Sequence, residues 1–357
     1  MGSWTLKSLA AGLAVGAAVL LTAGAVPAAV DNAYSVHPLV SDMPGAAPTL
    51  DPHLVNAWGL TATATSPWWV ADNGTDESTL YNGNTGAIVP LVVQVDGGPT
   101  GTVANGTSSF VVTNGTASGP ARFIFASEDG KIRGWNPAVA ATVAQVGADR
   151  SNVDASYKGL AIATTASGPM LYAADFHNAH VDVFDGSWHL VDNAGAFVDP
   201  TLPAGYAPFG IRTIGSRVFV SYAKQDEEAA DEVAGQGRGF VDAYDTAGNL
   251  LERVAQRGQL NAPWGLAQAP PSFGRFGGDL LVGNFGDGRI NAYAELPNGH
   301  FEHRGELRGA DGQALAIDGL WALEFGNGAT AGPKETLFFT AGPDDESHGL
   351  FGSITPG

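Results

Sequence analysis

Six times along this chain a Gly sits in a short apolar segment, followed by a hydrophobic residue in five cases and by Thr102 in the other, and a second apolar segment then ends in a cluster of Asp, Asn or Gly. The glycines are Gly59 (NAWGL), Gly101 (GPTGTV), Gly159 (YKGLAIA), Gly210 (APFGI), Gly265 (APWGLA) and Gly319 (IDGLWAL), spaced by 42, 58, 51, 55 and 54 residues. A period of this length fits one four-stranded antiparallel unit per repeat, and six such units predict an all-β, six-bladed β-propeller. The fifth repeat shows the grammar: APWGLAQ as first strand, a Pro- and Gly-rich turn, DLLVG, the tight turn Asn284–Gly288, RINAYA, and a last strand over Phe301–Leu307. The third repeat reads alike, with a final strand beginning near Trp188.

Two irregularities carry information. The sixth repeat runs out of chain after its third strand (HGLFGSI), whereas Ala33–Val40 precedes the first repeat and belongs to none. That spare segment is expected to close the last blade, removing an edge that would invite aggregation. The fourth repeat is interrupted by Lys224–Gly239, KQDEEAADEVAGQGRG, which reads either as a mobile solvated loop or as a lid or cation-responsive flap.

Ahead of the repeats, Lys7, the apolar run Leu9–Ala25 and the small residues after Val26 form a secretory signal pattern, with cleavage near Ala28 or Ala29. The expected organisation is a signal peptide over residues 1–28 and a single propeller over 29–357, secreted, monomeric, and with no other stretch able to enter a membrane. The chain has no Cys, so neither disulfides nor thiol chemistry can operate. Net charge is -19, and loss of Lys7 with the leader makes it -20. A surface this acidic repels nucleic acid and anionic lipid.

Propeller geometry locates any site. The start of each innermost strand and the turn between second and third strands face the same mouth of the central channel. Asn56, Lys158, Trp264 and Asp318 come from strand starts; Asp72, Asn73, Asp129, Asp175, His177, Asn284, Asp287 and Asp344 come from turns. An oxygen-rich ring of this kind suits a hard cation, and Asn56, Asn284 and Asp318 are the candidate metal ligands, with calcium the cofactor they would take. The competing explanation is that Asp, Asn and Gly are what tight turns require. Trp58, Trp264 and Trp321 flank inner-strand glycines and, with Asp72, Asp175 and His177, form the candidate set for binding a small molecule, glycan or protein; packing alone would also explain the indoles. His177/His180 and His300/His303 are spaced three apart off any helix, so neither pair makes a zinc site unaided. No GxSxG elbow, P-loop or dinucleotide fingerprint occurs.

NAWGL, WWVADNGTDESTLYNGNTG, FIFASEDGKIRGWNP and LLVGNFGDGRINAY together resemble an uncharacterised family of secreted bacterial β-propeller proteins, some associated with the PEP-CTERM sorting system. The resemblance spans nearly all of residues 29–357, although the chain ends in SITPG without the sorting tail. More remotely, the blades are similar to NHL-repeat, streptogramin-lyase and gluconolactonase-like propellers. The remote likeness implies a metal-dependent hydrolase or lyase, with Asn56, Asn284 and Asp318 as oxygen ligands and no residue in the position of a general base. Two function classes therefore stand: a binding or scaffold propeller, and a calcium-assisted hydrolase or lyase of lactone or ester type.

Overall fold

Period-2 alternation bounded by turn residues builds six antiparallel sheets around one axis, seen in a computed structural model that describes residues 1–2, 32–192 and 195–357. The expected signal segment lies outside the described residues. The innermost strands are Ala57–Thr61, Pro99–Ala104, Tyr157–Thr165, Tyr206–Ile214, Pro263–Gln268 and Leu320–Phe325. Each stands at the end of its sheet, with the later strands of its repeat hydrogen-bonded outward in chain order. The fold is the expected six-bladed β-propeller.

The last blade is closed as the sequence required. Tyr34–Ser41 pairs antiparallel with Leu350–Pro356, from Tyr34 opposite Pro356 to Ser41 opposite Leu350. Tyr34 is also driven between Phe273 and Phe276 of the fifth repeat, with ring centroids 5.1 and 6.1 Å away. Burying that one ring and Val40 contributes on the order of 1.5–3 kcal/mol each, so the closing strand is held by packing as well as by its ladder.

At the axis the blades meet backbone to backbone. A Cβ at Gly59, Gly159, Gly210 or Gly265 would strike the carbonyl oxygen of Thr100, Phe209, Trp264 or Trp321 on the next inner strand, and one at Gly101 would strike Leu160 N. Only glycine permits that approach. The register of these contacts corrects the sixth repeat. Gly265 meets Trp321, so the counterpart of the ring glycines in the last blade is Ala322 and not Gly319. Gly319 lies three residues earlier, at φ +62° against the Gly342 carbonyl, where it turns the chain into the strand.

Two further expectations are revised. Among the described residues the third blade has three strands, and near Trp188 there is a single bridge, Phe184 to Leu190, because Trp188 swings at φ +69° onto the neighbouring blade, where its ring covers Gly147. The second repeat carries an additional hairpin, Val111–Thr113 with Ser118–Pro120. Between blades the core is aromatic: Trp69 stacks on Phe123 at 4.1 Å and Trp68 packs against Phe338 at 5.3 Å.

Candidate functional site at the channel mouth

The strand starts converge as propeller geometry dictates. Lys158 opens the third inner strand, where the glycine after it draws the chain against Phe209 and so places the lysine at the axis. Its side chain is almost fully buried, 2% exposed, and its ammonium is paired with Glu128 and, at 3.1 Å, with Asp231. Below it lies the Trp58 ring, 5.4 Å from Nζ. Burial pulls the Lys158 pKa down, but the surrounding carboxylates outweigh it and hold the group above its ordinary value.

Four carboxylates share this vestibule: Glu128, Asp231, Glu232 and Glu346. Glu346 accepts a hydrogen bond from Asn56 Nδ2 at 2.7 Å, and Glu128 accepts one from Asn73 Nδ2 at 2.9 Å. Burial, with Glu346 and Asp231 nearby, pushes the Glu232 carboxyl up to about 8 despite the opposing pull of Lys158. Burial likewise raises Glu346.

The charged insertion covers this ring. Gln225 and Glu232 form a bridge, and Val233 N returns to Lys224 O at 2.7 Å, so residues 225–238 make a folded hairpin. It is anchored on three sides: Gln225 Nε2 donates to Phe176 O at 2.6 Å, Asp231 reaches Lys158, and Gly235 N donates to Asn261 Oδ1 at 2.5 Å. The segment is therefore a folded hairpin docked over the ring, not a free solvated loop.

Beneath the vestibule the channel is plugged. Trp58 and Trp321 stack at 3.5 Å, Phe285 stacks on the same Trp321 at 4.1 Å, and Trp264 meets both indoles edge-on at 6.2 and 5.8 Å. Trp58 and Trp321 are 2% and 0% exposed, and their faces are spent on other rings. Trp264 is half-buried, its Nε1 donating to Lys158 O at 2.9 Å.

The remaining sequence candidates separate. Asn56 and His177 belong to the mouth; His177 Nδ1 lies 3.2 Å from Ala229 O of the lid. Asn56 presents its amide NH2 to Glu346 and Asn73, while its oxygen faces the Trp321 indole N–H at 3.2 Å, an orientation the donor-only indole fixes. Asp72 and Asp175 are fully buried within their blades. Burial pushes both carboxyls up, Asp72 well above the ordinary range. Asn284 is tied to Gln259 O and to Asp287 of its own turn, with Oδ1 buried and unpartnered among the described residues. Asp318 is exposed and accepts the Asp344 N–H at 3.0 Å. Asn56, Asn284 and Asp318 thus have separate sets of partners.

One other cluster has metal-ligand composition: Asp175, His180 and Asp182 hold ligand atoms within 4.8 Å of one another. Its oxygens already accept from Tyr157 OH at 2.6 Å and Asn178 Nδ2 at 2.9 Å, with the Arg150 guanidinium 3.5 Å from Asp182. Sequence reasoning missed Glu128, Asp231, Glu232 and Glu346. Glu128 adjoins the chosen turn residue Asp129, and Glu346 lies two residues after the chosen turn residue Asp344, so position was legible there and identity was not.

No family model matches the chain. Among solved structures, a protein of unknown function from Bacteroides thetaiotaomicron superposes with a TM-score of 0.56 at 10% identity, covering 90% of this chain and 76% of that one. A streptogramin B lyase superposes with a TM-score of 0.50 at 10% identity, covering 91% and 98%. Identities this low speak to fold alone. Sequence relatives are nearer: the uncharacterized protein R648 of Acanthamoeba polyphaga mimivirus is 34% identical over 339 residues, 90% of this chain and 80% of the relative. The uncharacterized protein L690 of the same virus is 32% identical over 342 residues, 90% and 85% of the two chains. Both are viral, whereas the sequence resemblance pointed to exported bacterial propellers. The chain belongs to the same protein family as R648 and L690 of Acanthamoeba polyphaga mimivirus.

Proposed function

We propose that the chain is an exported binding propeller whose lidded mouth captures a small cationic molecule bearing an organic ammonium group. One observation carries the reading. Four carboxylates face a single, almost fully buried ammonium, and burial holds Glu232 at about 8 and Glu346 above its ordinary value. A vestibule short of positive charge takes up a proton or a cation, and a ligand that brings its own ammonium replaces the proton. The lid supports capture of something small, because its anchors leave the ring enclosed while it is docked. A protein or long glycan would have to displace it.

Calcium-assisted lactone or ester hydrolysis is the second reading, favoured by the buried, unpartnered Asn284 Oδ1. Against it, Asn56 turns its NH2 toward the mouth, so the three expected oxygen ligands do not act together. Thermal-shift titration separates the two. Choline, ethanolamine and spermidine are the probes for the first reading, and calcium with EDTA is the probe for the second. A ligand present at a hundredfold its Kd stabilises by about 2.7 kcal/mol. The first reading expects that shift from an ammonium compound and its loss in Glu346→Gln. A shift from calcium alone, reversed by EDTA, would replace the first reading with the second, and no shift from any cation sinks both. Export is tested by N-terminal sequencing of protein recovered from culture medium; retention of Met1 would refute it.

A further inference from the structure

Under the aromatic plug, at the opposite end of the channel from the lid, lies a cavity of about 200 Å³ bounded by the inner strand of every blade. It is smaller than the roughly 300–1,000 Å³ of pockets that hold drug-sized ligands, so its occupant is small. Its walls are unusual for a cavity between sheets. Each inner strand ends its sheet, so the edge turned to the axis has no strand partner among the described residues, and backbone N–H and C=O groups are offered to the lumen.

The side chains there are electrically balanced. Arg212 from the fourth blade pairs with Glu324 from the sixth, Nη2 to Oε1 at 2.7 Å, and both keep part of their surface open, 31% and 19%. Thr61 and Thr102 line the cavity from the first two blades. Trp264 borders it as well, half-buried and held by the bond from its Nε1 to Lys158 O. The lumen therefore combines a fixed indole and an ion pair with free donor and acceptor positions.

We propose that this lumen is a second binding site, for one neutral polyhydroxy molecule of hexose size. A pyranose has an apolar C–H face for the indole and vicinal hydroxyls that bridge a guanidinium and a carboxylate without separating them. A free cation is opposed by Arg212, and an anion would have to displace Glu324, so neutrality follows from the pair itself. The site is independent of the mouth reading, since the plug lies between them.

The test uses the full chain and titrates D-glucose, D-galactose and myo-inositol, with glycine as a zwitterionic comparison, by calorimetry and tryptophan fluorescence. At least one of the three polyols is expected to bind with a millimolar Kd. Glu324→Gln keeps the shape and removes only the charge, so it is expected to stay folded while weakening binding roughly five- to tenfold. Arg212→Met is expected to weaken it further, and Asp231→Ala, on the lid, to leave it unchanged. No polyol binding at about 50 mM, glycine binding in place of the polyols, or unchanged affinity in a folded Glu324→Gln would overturn the proposal. Loss of polyol affinity in Asp231→Ala would move the site to the mouth and overturn it equally.

Discussion

The two ends of the channel are made by the same six inner strands and yet differ in every electrostatic respect. The mouth has four carboxylates against one buried lysine and a hairpin folded across it; the far lumen has one arginine against one glutamate and no insertion over it among the described residues. The strand bodies are constrained by the contacts between blades, which demand glycine or small residues near the axis, so chemistry there is limited to the few positions beyond the ring glycines. The strand starts and turns carry no such packing duty. Charge accumulates where the fold leaves side chains free.

The largest expected effect tests that contrast directly. Lys158→Ala removes a side chain that is 2% exposed and leaves the carboxylates around it without a cation, for an expected loss of about 2–5 kcal/mol that comes mostly from the emptied space, because Glu128 and Asp231 keep 34% and 72% of their side-chain surface open. Arg212→Ala removes the cation of a pair that is partly open to solvent, where a cost below about 1 kcal/mol is expected. Urea unfolding of the two variants measures both. Equal losses would mean that the ends are not electrostatically distinct.

Of the two ends of the channel, the mouth should respond more strongly to acidity. With the folded lid, Glu232 titrates at about 8, above its ordinary 4.5, so the docked state binds more protons than the released one between those values. Lid docking is therefore fully favoured below about pH 4.5 and weakens as pH rises through about 8. Hydrogen exchange of residues 226–234, corrected for intrinsic rate, should quicken between pH 6 and pH 9, with residues 211–213 at the far end unchanged. Protection of the lid that grows with pH would reverse the assignment of Glu232.

A smaller change removes the latch itself. Asp231 is 72% exposed at its side chain, so Asp231→Ala should alter global stability by less than about 1 kcal/mol. It should nevertheless release the hairpin from Lys158, seen as faster proteolysis between residues 226 and 238 and unaltered cleavage elsewhere. A variant as resistant as the wild type would show that Gln225 and Gly235 hold the lid without it.

What the sequence disclosed follows the range of the interactions. Strands, turns and the missing sixth-blade strand are written in local patterns, and Asn56, Lys158 and Trp264 could be placed because a strand start fixes its own position. The pairing of Asn56 with Glu346 spans 290 residues and that of Lys158 with Asp231 spans 73, so neither leaves a local mark. The stacking of Trp58 on Trp321 hides both indoles for the same reason: it needs the ring closed. Asp231 and Glu232 were further masked by lying in a segment whose composition also describes a solvated loop.

The seam between the last and first blades gives the finest test. Five ring positions are glycine because the next strand's backbone occupies the Cβ site, while the sixth is Ala322, whose Cβ is accommodated at the joint closed by the N-terminal strand. Thr340 Oγ1 supports that joint, accepting from Ala322 N at 3.1 Å and donating to Trp58 O. Ala322→Gly removes a methyl group that is 4% exposed and loosens the strand's backbone, for an expected loss of up to about 1 kcal/mol. If Ala322 instead strained the seam as a Cβ would at Gly210, the substitution would raise the midpoint in a urea titration. A lowered midpoint means that the two ends of the chain meet at a wider spacing than the other five blade contacts, and that the lumen is correspondingly broader on the side of Glu324.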